Sequence, residues 1–386
     1  MAEGIGRRAL LSAGAGAAAA TTLDWTMFAS PAAAAIGKPG DPVQMRSDGS
    51  YATIPLRKDT ISIAVAQTRV VPVELGSIAQ TRRANVQHMC DVIDIANGFS
   101  GSKDLVAFHE FPITGYRHVW DLNDARKIAI ELPGEESEML GAKAREYGCY
   151  ISFGSYVRDP DWPTRLLSIT TILNDKGEII AKDWKARNLK GFFPGGRELF
   201  TTTIYDVLDE YVERYGWDSV IPVIQTPIGN LYTSSSQLEP ELFRAAAMKG
   251  AEIMLRTATG NYNETDIRAV SMYNRVYSTI ANNSASPENQ YYLADSNPGY
   301  AGIVGPDGEF FERSATDDET LIYGRIPIGN FRARHRQPIV HSELVMPIFE
   351  QYRSPYGPNL LADYQPTDTK DAGRYLREKT RWRRSR

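Results

Sequence analysis

Apolar residues recur along this chain with two alternating periods. I-S-I-A-V-A-Q-T, residues 61–68, is a β-branched run that predicts a strand. Over residues 81–97 the spacing lengthens, with Val86, Met89, Cys90 and Ile93 on one helical face. D-L-V-A-F, residues 104–108, is a continuous apolar run of the kind covered on both faces of a sheet. Residues 133–148 predict a helix opened by Pro and acidic residues and closed by Gly. Two strands follow, C-Y-I-S-F-G-S-Y and S-I-T-T-I-L-N, with a hairpin turn at N-D-K-G. The second half repeats the alternation. V-I-Q-T-P-I-G-N-L-Y predicts a strand or hairpin, residues 240–250 a helix, E-I-M-L-R-T a strand, and residues 267–282 another helix. Y-Y-L-A-D and A-G-I-V-G-P-D-G-E-F-F read as strands, the latter turning at Asp307–Gly308. Strands alternating with helices in both halves predict one α/β domain with a layered sheet core, spanning residues 59–335.

The flanks differ from this pattern. Arg7 and Arg8 precede an Ala/Gly-rich run and small residues suited to cleavage near Ala34 or Ala35. Residues 1–35 resemble a twin-arginine export signal, which predicts a periplasmic or extracellular protein; a cytoplasmic extension is the alternative. The run 10–20 is too short and too weakly apolar for a membrane span. Residues 36–58 form a polar leader. Residues 201–220 carry a helical stripe of Val207, Leu208, Tyr211 and Tyr215, an inserted helix either at a site mouth or against the scaffold. Residues 336–386 extend the chain and end in a basic tail, read as solvated or as an arm across a partner subunit.

Composition excludes little but excludes it cleanly. With 42% hydrophobic and 23% charged residues and a net charge of −4, nothing points to nucleic acid. The five histidines are scattered and no Cys/His cluster has zinc-ligand spacing, so a dedicated transition-metal site is not expected. Cys90 and Cys149 both read as buried thiols, not nucleophiles.

Three places carry candidate chemistry. Glu110 follows the covered strand 104–108, where α/β sheets bind ligands, and a carboxylate there needs a partner. Lys182 and Lys185 follow G-E-I-I-A and offer a cation for a developing oxyanion. Ser234, Ser235 and Ser236 lie between a strand end and the helix opened by Pro240 and Glu241, a position that suits a nucleophile or a helix cap. Phe111, Trp184, Phe192, Phe193 and Tyr232 are aromatic candidates for a pocket or for the core, and Tyr116 and Glu241 are further candidate substrate contacts.

Together D-L-V-A-F-H-E-F-P-I-T-G-Y, G-E-I-I-A-K-D-W-K and I-G-N-L…E-P-E-L-F-R-A-A-A-M-K-G-A-E-I-M-L-R resemble the nitrilase superfamily of carbon–nitrogen hydrolases over residues 60–335. The resemblance implies a four-layer α-β-β-α sandwich, frequently homodimeric or larger. It also implies a cofactor-free Glu–Lys–Cys site acting on small amides, nitriles or carbamoyl compounds through a covalent intermediate. Glu110 matches the family glutamate and Lys185 its lysine, with Lys182 a rival. Counting back from Pro240, the family cysteine falls on Ser234; a length difference before Pro240 leaves Ser235 open. Glu198 is the nearest match to a second glutamate.

The serine changes the chemistry. A thiol of pKa about 8.5 is already partly ionised at neutral pH, whereas a hydroxyl needs a base at the moment of attack. Three readings stay open: an amidase-type hydrolase using Glu110, Lys185 and Ser234; a silent relative that binds an amide-like ligand or serves as an assembly subunit; and a hydrolase in which Glu110 activates water.

Overall fold

The computed structural model describes residues 46–191, 197–290 and 296–382. The export-signal segment, Phe192, Phe193, Y-Y-L-A-D at 291–295 and the last four residues of the basic tail lie outside them.

In chain order, the first half runs β1 (Ile61–Gln67), α1 (Ile78–Gly98), β2 (Leu105–Ala107), α2 (Leu122–Ile128), α3 (Glu135–Tyr147), β3 (Tyr150–Val157), β4 (Leu167–Leu173) and β5 (Ile179–Trp184). Then come α4 (Leu208–Tyr215), β6 (Ile224–Thr226), β7 (Gly229–Ser234), α5 (Pro240–Met248), β8 (Ile253–Thr257), α6 (Glu264–Asn274), β9 (Tyr277–Ala281), β10 (Gly302–Val304), β11 (Phe310–Arg313) and β12 (Thr320–Ile326). The chain closes with α7 (Ile328–Arg334), α8 (Met346–Gln351) and α9 (Thr369–Lys379).

Two six-stranded mixed sheets stack face to face, ordered β12-β1-β2-β3-β4-β5 and β11-β10-β9-β8-β7-β6. Strand parity explains the layering. Ile61, Ile63 and Val65 of β1 meet Leu231 of β7 and Ile253 and Leu255 of β8 between the sheets. The alternate residues Ala64 and Ala66 pack with Val86, Met89 and Ile93 of α1 and Leu140 of α3 on the outer face. On the other side Tyr232 and Met254 pack under Phe243 and Ala246 of α5 and Val270 of α6. The result is the α-β-β-α sandwich expected from the resemblance. Each fully buried Ile or Phe contributes about 1.5–3 kcal/mol, so truncating Ile63 between the sheets would cost roughly 2–5 kcal/mol.

Two expectations change. The helix predicted over residues 267–282 ends at Asn274, where Arg275 takes a left-handed φ of 56° and closes it. The rest becomes β9, because V-Y-S-T-I is β-branched and aromatic and the sheet supplies pairing on both sides. The basic C-terminal segment is not a solvated tail over α9, which buries Ala372 and Leu376 against its own chain. Arg374 pairs there with Asp371 and Glu378 of the same helix. On its way to α9 the extension binds the loop before α4: Asn359 and Leu361 N–H groups donate to the Tyr205 and Asp206 carbonyls, and the Glu198 N–H donates to the Thr369 carbonyl. The 201–220 stripe packs on the scaffold, with Val207 and Tyr211 in the α1–α3 core.

Candidate active site

Glu110 is placed by the turn that leaves β2. His109 is fully buried; its Nε2 lies 3.1 Å from Thr68 Oγ1 and its Nδ1 accepts the Phe111 N–H at 3.2 Å. That pattern makes Nδ1 an acceptor and Nε2–H a donor to the threonine hydroxyl. Burial pushes the imidazole down to about 3, so it stays neutral. Gly154 of β3 sits directly against the turn: a Cβ there would fall 2.3 Å from the Glu110 carbonyl oxygen. Only glycine permits that approach.

Glu110 is buried, and each of its oxygens has one partner. Lys185 Nζ donates to Oε1 at 3.0 Å and Thr259 Oγ1 donates to Oε2 at 3.0 Å. Lys185 is fixed by its own N–H to the Ser168 carbonyl at 2.9 Å, and its carbonyl accepts the Ile204 N–H. Lys182 lies on the other face of β5, 41% exposed and 3.6 Å from Asp159. Parity therefore puts Lys185, and not Lys182, beside Glu110.

The serines separate by the same rule. In β7, Leu231 and Thr233 point toward the first sheet, and Thr233 Oγ1 donates to Asp183 Oδ2 of β5 at 2.6 Å. Tyr232 and Ser234 point the other way. Ser234 Oγ is buried and accepts the Ser236 N–H at 3.0 Å, and Ser234 is not among the residues lining the Glu110 cavity. Ser235 and Ser236 are. Ser235 and Ser236 thus share the cavity of the Glu110–Lys185 pair, whereas Ser234 lines a smaller neighbouring cavity that also includes Lys185 and Ser235. Ser236 is 3% exposed and its hydroxyl has no hydrogen-bond partner among the described residues. The loop itself is held from below by Arg256, which is fully buried, donates to Ser236 O at 2.7 Å and to Asp266 at 2.8 Å, and lies 3.8 Å over the Phe243 ring.

The cavity measures about 180 Å³, room for a small molecule. Phe111, Tyr116 and Tyr156 form its aromatic wall, with Phe111 and Tyr156 ring centres 4.5 Å apart. Phe111 and Tyr116, two of the aromatic candidates, thus line the cavity. Glu241 does not: it is exposed in the first turn of α5, outside the lining, where it meets the positive helix end. Glu198 is buried but accepts the Gly191 N–H at 2.7 Å and braces a loop instead of lining the cavity. Trp184 belongs to the outer core, edge-on to Trp162 and Tyr211, and Tyr232 packs on Phe243. Cys90 and Cys149 are free, buried and outside the cavity, and burial raises both thiols, to about 11 and about 12.

Among the cavity residues that escaped the sequence reading are Thr259 and Arg187. Thr259 follows β8 and completes the Glu110 clamp. Arg187 enters two residues after Lys185, donates to Gln237 O at 2.8 Å and pairs with Glu239. W-K-A-R-N carried the only signal for Arg187, and nothing local marks a threonine as a carboxylate's partner. Among the described residues no group of His, Cys, Asp and Glu is arranged to hold a metal ion, and no helix is long and apolar enough to cross a membrane.

A carboxylate clamped by an ammonium thus stands at the rim of two stacked sheets, in a cavity that Ser235 and Ser236 also line. The sequence profile of the carbon-nitrogen hydrolases matches residues 62–336, and the chain belongs to that family. Solved structures share the fold. Saccharomyces cerevisiae Nit3, described as a member of branch 10 of the nitrilase superfamily, is 19% identical with a TM-score of 0.56, covering 73% of this chain and 96% of that one. The NitFhit protein of C. elegans is 18% identical with a TM-score of 0.55, covering 78% and 66%. A doubly substituted amidase from Nesterenkonia sp. AN1, bound to acrylamide, is 17% identical with a TM-score of 0.52, covering 77% and 100%.

Proposed function

We propose that this chain hydrolyses the C–N bond of a small amide or N-carbamoyl compound, with Ser235 as nucleophile. The observation that supports this reading is that Ser235 lines the same cavity as the Lys185–Glu110 pair. The substrate carbonyl lies between them. Ser235 Oγ adds to the carbonyl carbon as its O–H proton passes to a buried carboxylate, from which it returns when the acyl-enzyme is cleaved, and the Lys185 ammonium meets the charge that develops on oxygen. The Glu110–Lys185 pair supplies the proton that the departing amine needs and recovers one from the water that cleaves the acyl-enzyme. A glutamate-to-glutamine variant of the Nesterenkonia amidase shows covalent addition of an acetamide moiety at its active-site cysteine; here a serine would carry the equivalent bond.

Nitriles suit this site less well than amides, because the thioimidate route draws on thiolate chemistry. The test is a panel of small amides, carbamoyl compounds and nitriles, with mass spectrometry of the protein after mixing. An acyl adduct on Ser235, lost in Ser235→Ala and kept in Ser234→Ala, is the expected result. An adduct on Ser234, or full turnover by Ser235→Ala, overturns it. A second reading, binding without turnover, is favoured by the lack of a thiol in the cavity among the described residues; no hydrolysis of any panel member would leave that reading standing.

A further inference from the structure

A second, smaller cavity lies behind the first. It measures about 10 Å³, room for roughly one water. Ser235 and Lys185 line both cavities and so form the partition between them. On the far side stands Asp183, whose carboxylate is directed between the sheets, where it meets Thr233. The clamp on Glu110 makes this position informative. Both Glu110 oxygens already accept a hydrogen bond, one from an ammonium and one from a hydroxyl. Asp183 has one such donor, Thr233, through Oδ2 at 2.6 Å.

Resting on the reading of Ser235 as nucleophile, we propose that Asp183 is a positioning and proton-accepting residue for Ser235, acting through a single water in the rear cavity. During acylation the Ser235 O–H proton passes to the water, which gives one of its own to Asp183, as the Oγ–C bond forms and the C–N bond breaks. The leaving amine takes its proton from the Glu110–Lys185 pair. During deacylation an incoming water gives a proton to that pair and its oxygen to the acyl carbon. Ser235 Oγ then leaves and recovers its proton from Asp183 by the same route. The net change is one water consumed and one amide cleaved, with both carboxylates restored.

The surroundings of Asp183 are consistent with this work. Thr170 of β4, Thr233 of β7 and Tyr232 share its cavity, Lys185 is the cation there, and the Asp183 charge also acts on the Tyr211 phenol in the outer core. Burial pushes the carboxyl up to about 7, against the lowering effect of the Thr233 hydroxyl, so it exchanges its proton near neutral pH. A thiolate nucleophile would need no such acceptor, which ties Asp183 to the presence of serine.

That dependence supplies the test. The full chain is treated with a fluorophosphonate, and the label on Ser235 is followed by mass spectrometry; no substrate need be known. Asp183→Asn, which keeps an acceptor for Thr233, is expected to slow labelling about 100-fold. In a Ser235→Cys background, alkylation by iodoacetamide is expected to be as fast with the added Asp183→Asn change as without it. Equal slowing in both backgrounds would mean a structural role and overturn the proposal, as would no slowing in either. Thr233→Val leaves Asp183 in place and is expected to move the acid limb of the labelling profile to higher pH; an unmoved limb overturns the proposal even if Asp183→Asn fails to fold. A wild-type chain that takes no label at Ser235 overturns the nucleophile reading itself, and the relay with it. Labelling of Ser235 that ignores Asp183 leaves the nucleophile and removes only the relay.

Discussion

The two strand ends that meet in the cavity are built to different tolerances. On the first sheet, Glu110 is held by a glycine contact, a neutral buried histidine, a lysine and a threonine, each from a different element. On the second, three consecutive serines leave β7, and two of them, Ser235 and Ser236, line the cavity that holds the acid. The first end is over-determined and matches its family. The second presents a run of hydroxyls on a backbone held through Arg256 and Asp266.

The contrast can be broken from either side. The largest effect is expected from Ser235→Ala, with a loss in kcat on the order of 10³-fold or more in the amide assay, against less than roughly tenfold for Ser234→Ala. Glu110→Gln should lower kcat by about 10²–10⁴-fold and leave the Ser235 backbone undisturbed by circular dichroism. Gly154→Ala strikes the same turn without touching the chemistry: the clash with the Glu110 carbonyl should cost about 1–3 kcal/mol, read as a lower thermal midpoint together with reduced kcat. Lys182→Ala, on the exposed face, should change stability by no more than about 0.5 kcal/mol and leave kcat/KM unaltered, whereas Lys185→Ala should not.

Two buried groups give the stability profile opposing slopes. His109 stays neutral down to about 3 in the folded chain, while the unfolded chain binds that proton below the ordinary value of 6.5. Its contribution is therefore complete above 6.5 and is lost as pH falls toward 3. Asp183 is the reverse. Its folded value near 7 lies above the ordinary 3.8, so the folded chain holds the proton more tightly and stability falls as pH rises from about 4 through 7. Urea titrations of Asp183→Asn across that window should show a flatter decline than wild type; an identical slope would show that Asp183 does not titrate there.

Much of this was legible before the fold. The run 104–108 announced a covered strand, and a carboxylate at its end announced a site, because burial makes such a charge costly unless it is partnered. The order of the acid, the lysine and the Pro240–Glu241 helix start announced the family. What was not legible were the partners contributed from far along the chain. Thr259 reaches Glu110 across 149 residues, and no local pattern distinguishes it from any other loop threonine. Lys182 and Lys185 were equal in composition and unequal only in face. Residues 267–282 failed as one helix because the strand at their end is stabilised by pairing with β8 and β10, which propensity within the segment cannot weigh. The amphipathic α9 was hidden by its charge, although Ala372 and Leu376 mark its buried side.

The chain's own order of residues determined the alternating strands and helices, the buried acid after β2, the lysine after β5 and the three serines at the end of β7. These follow from period, composition and local turn chemistry. The stacking of the sheets decided which serines share the acid's cavity, which lysine clamps it, and that Asp183 stands behind both. Those choices depend on which side of a strand is turned toward another sheet, and a strand acquires a side only when something packs against it.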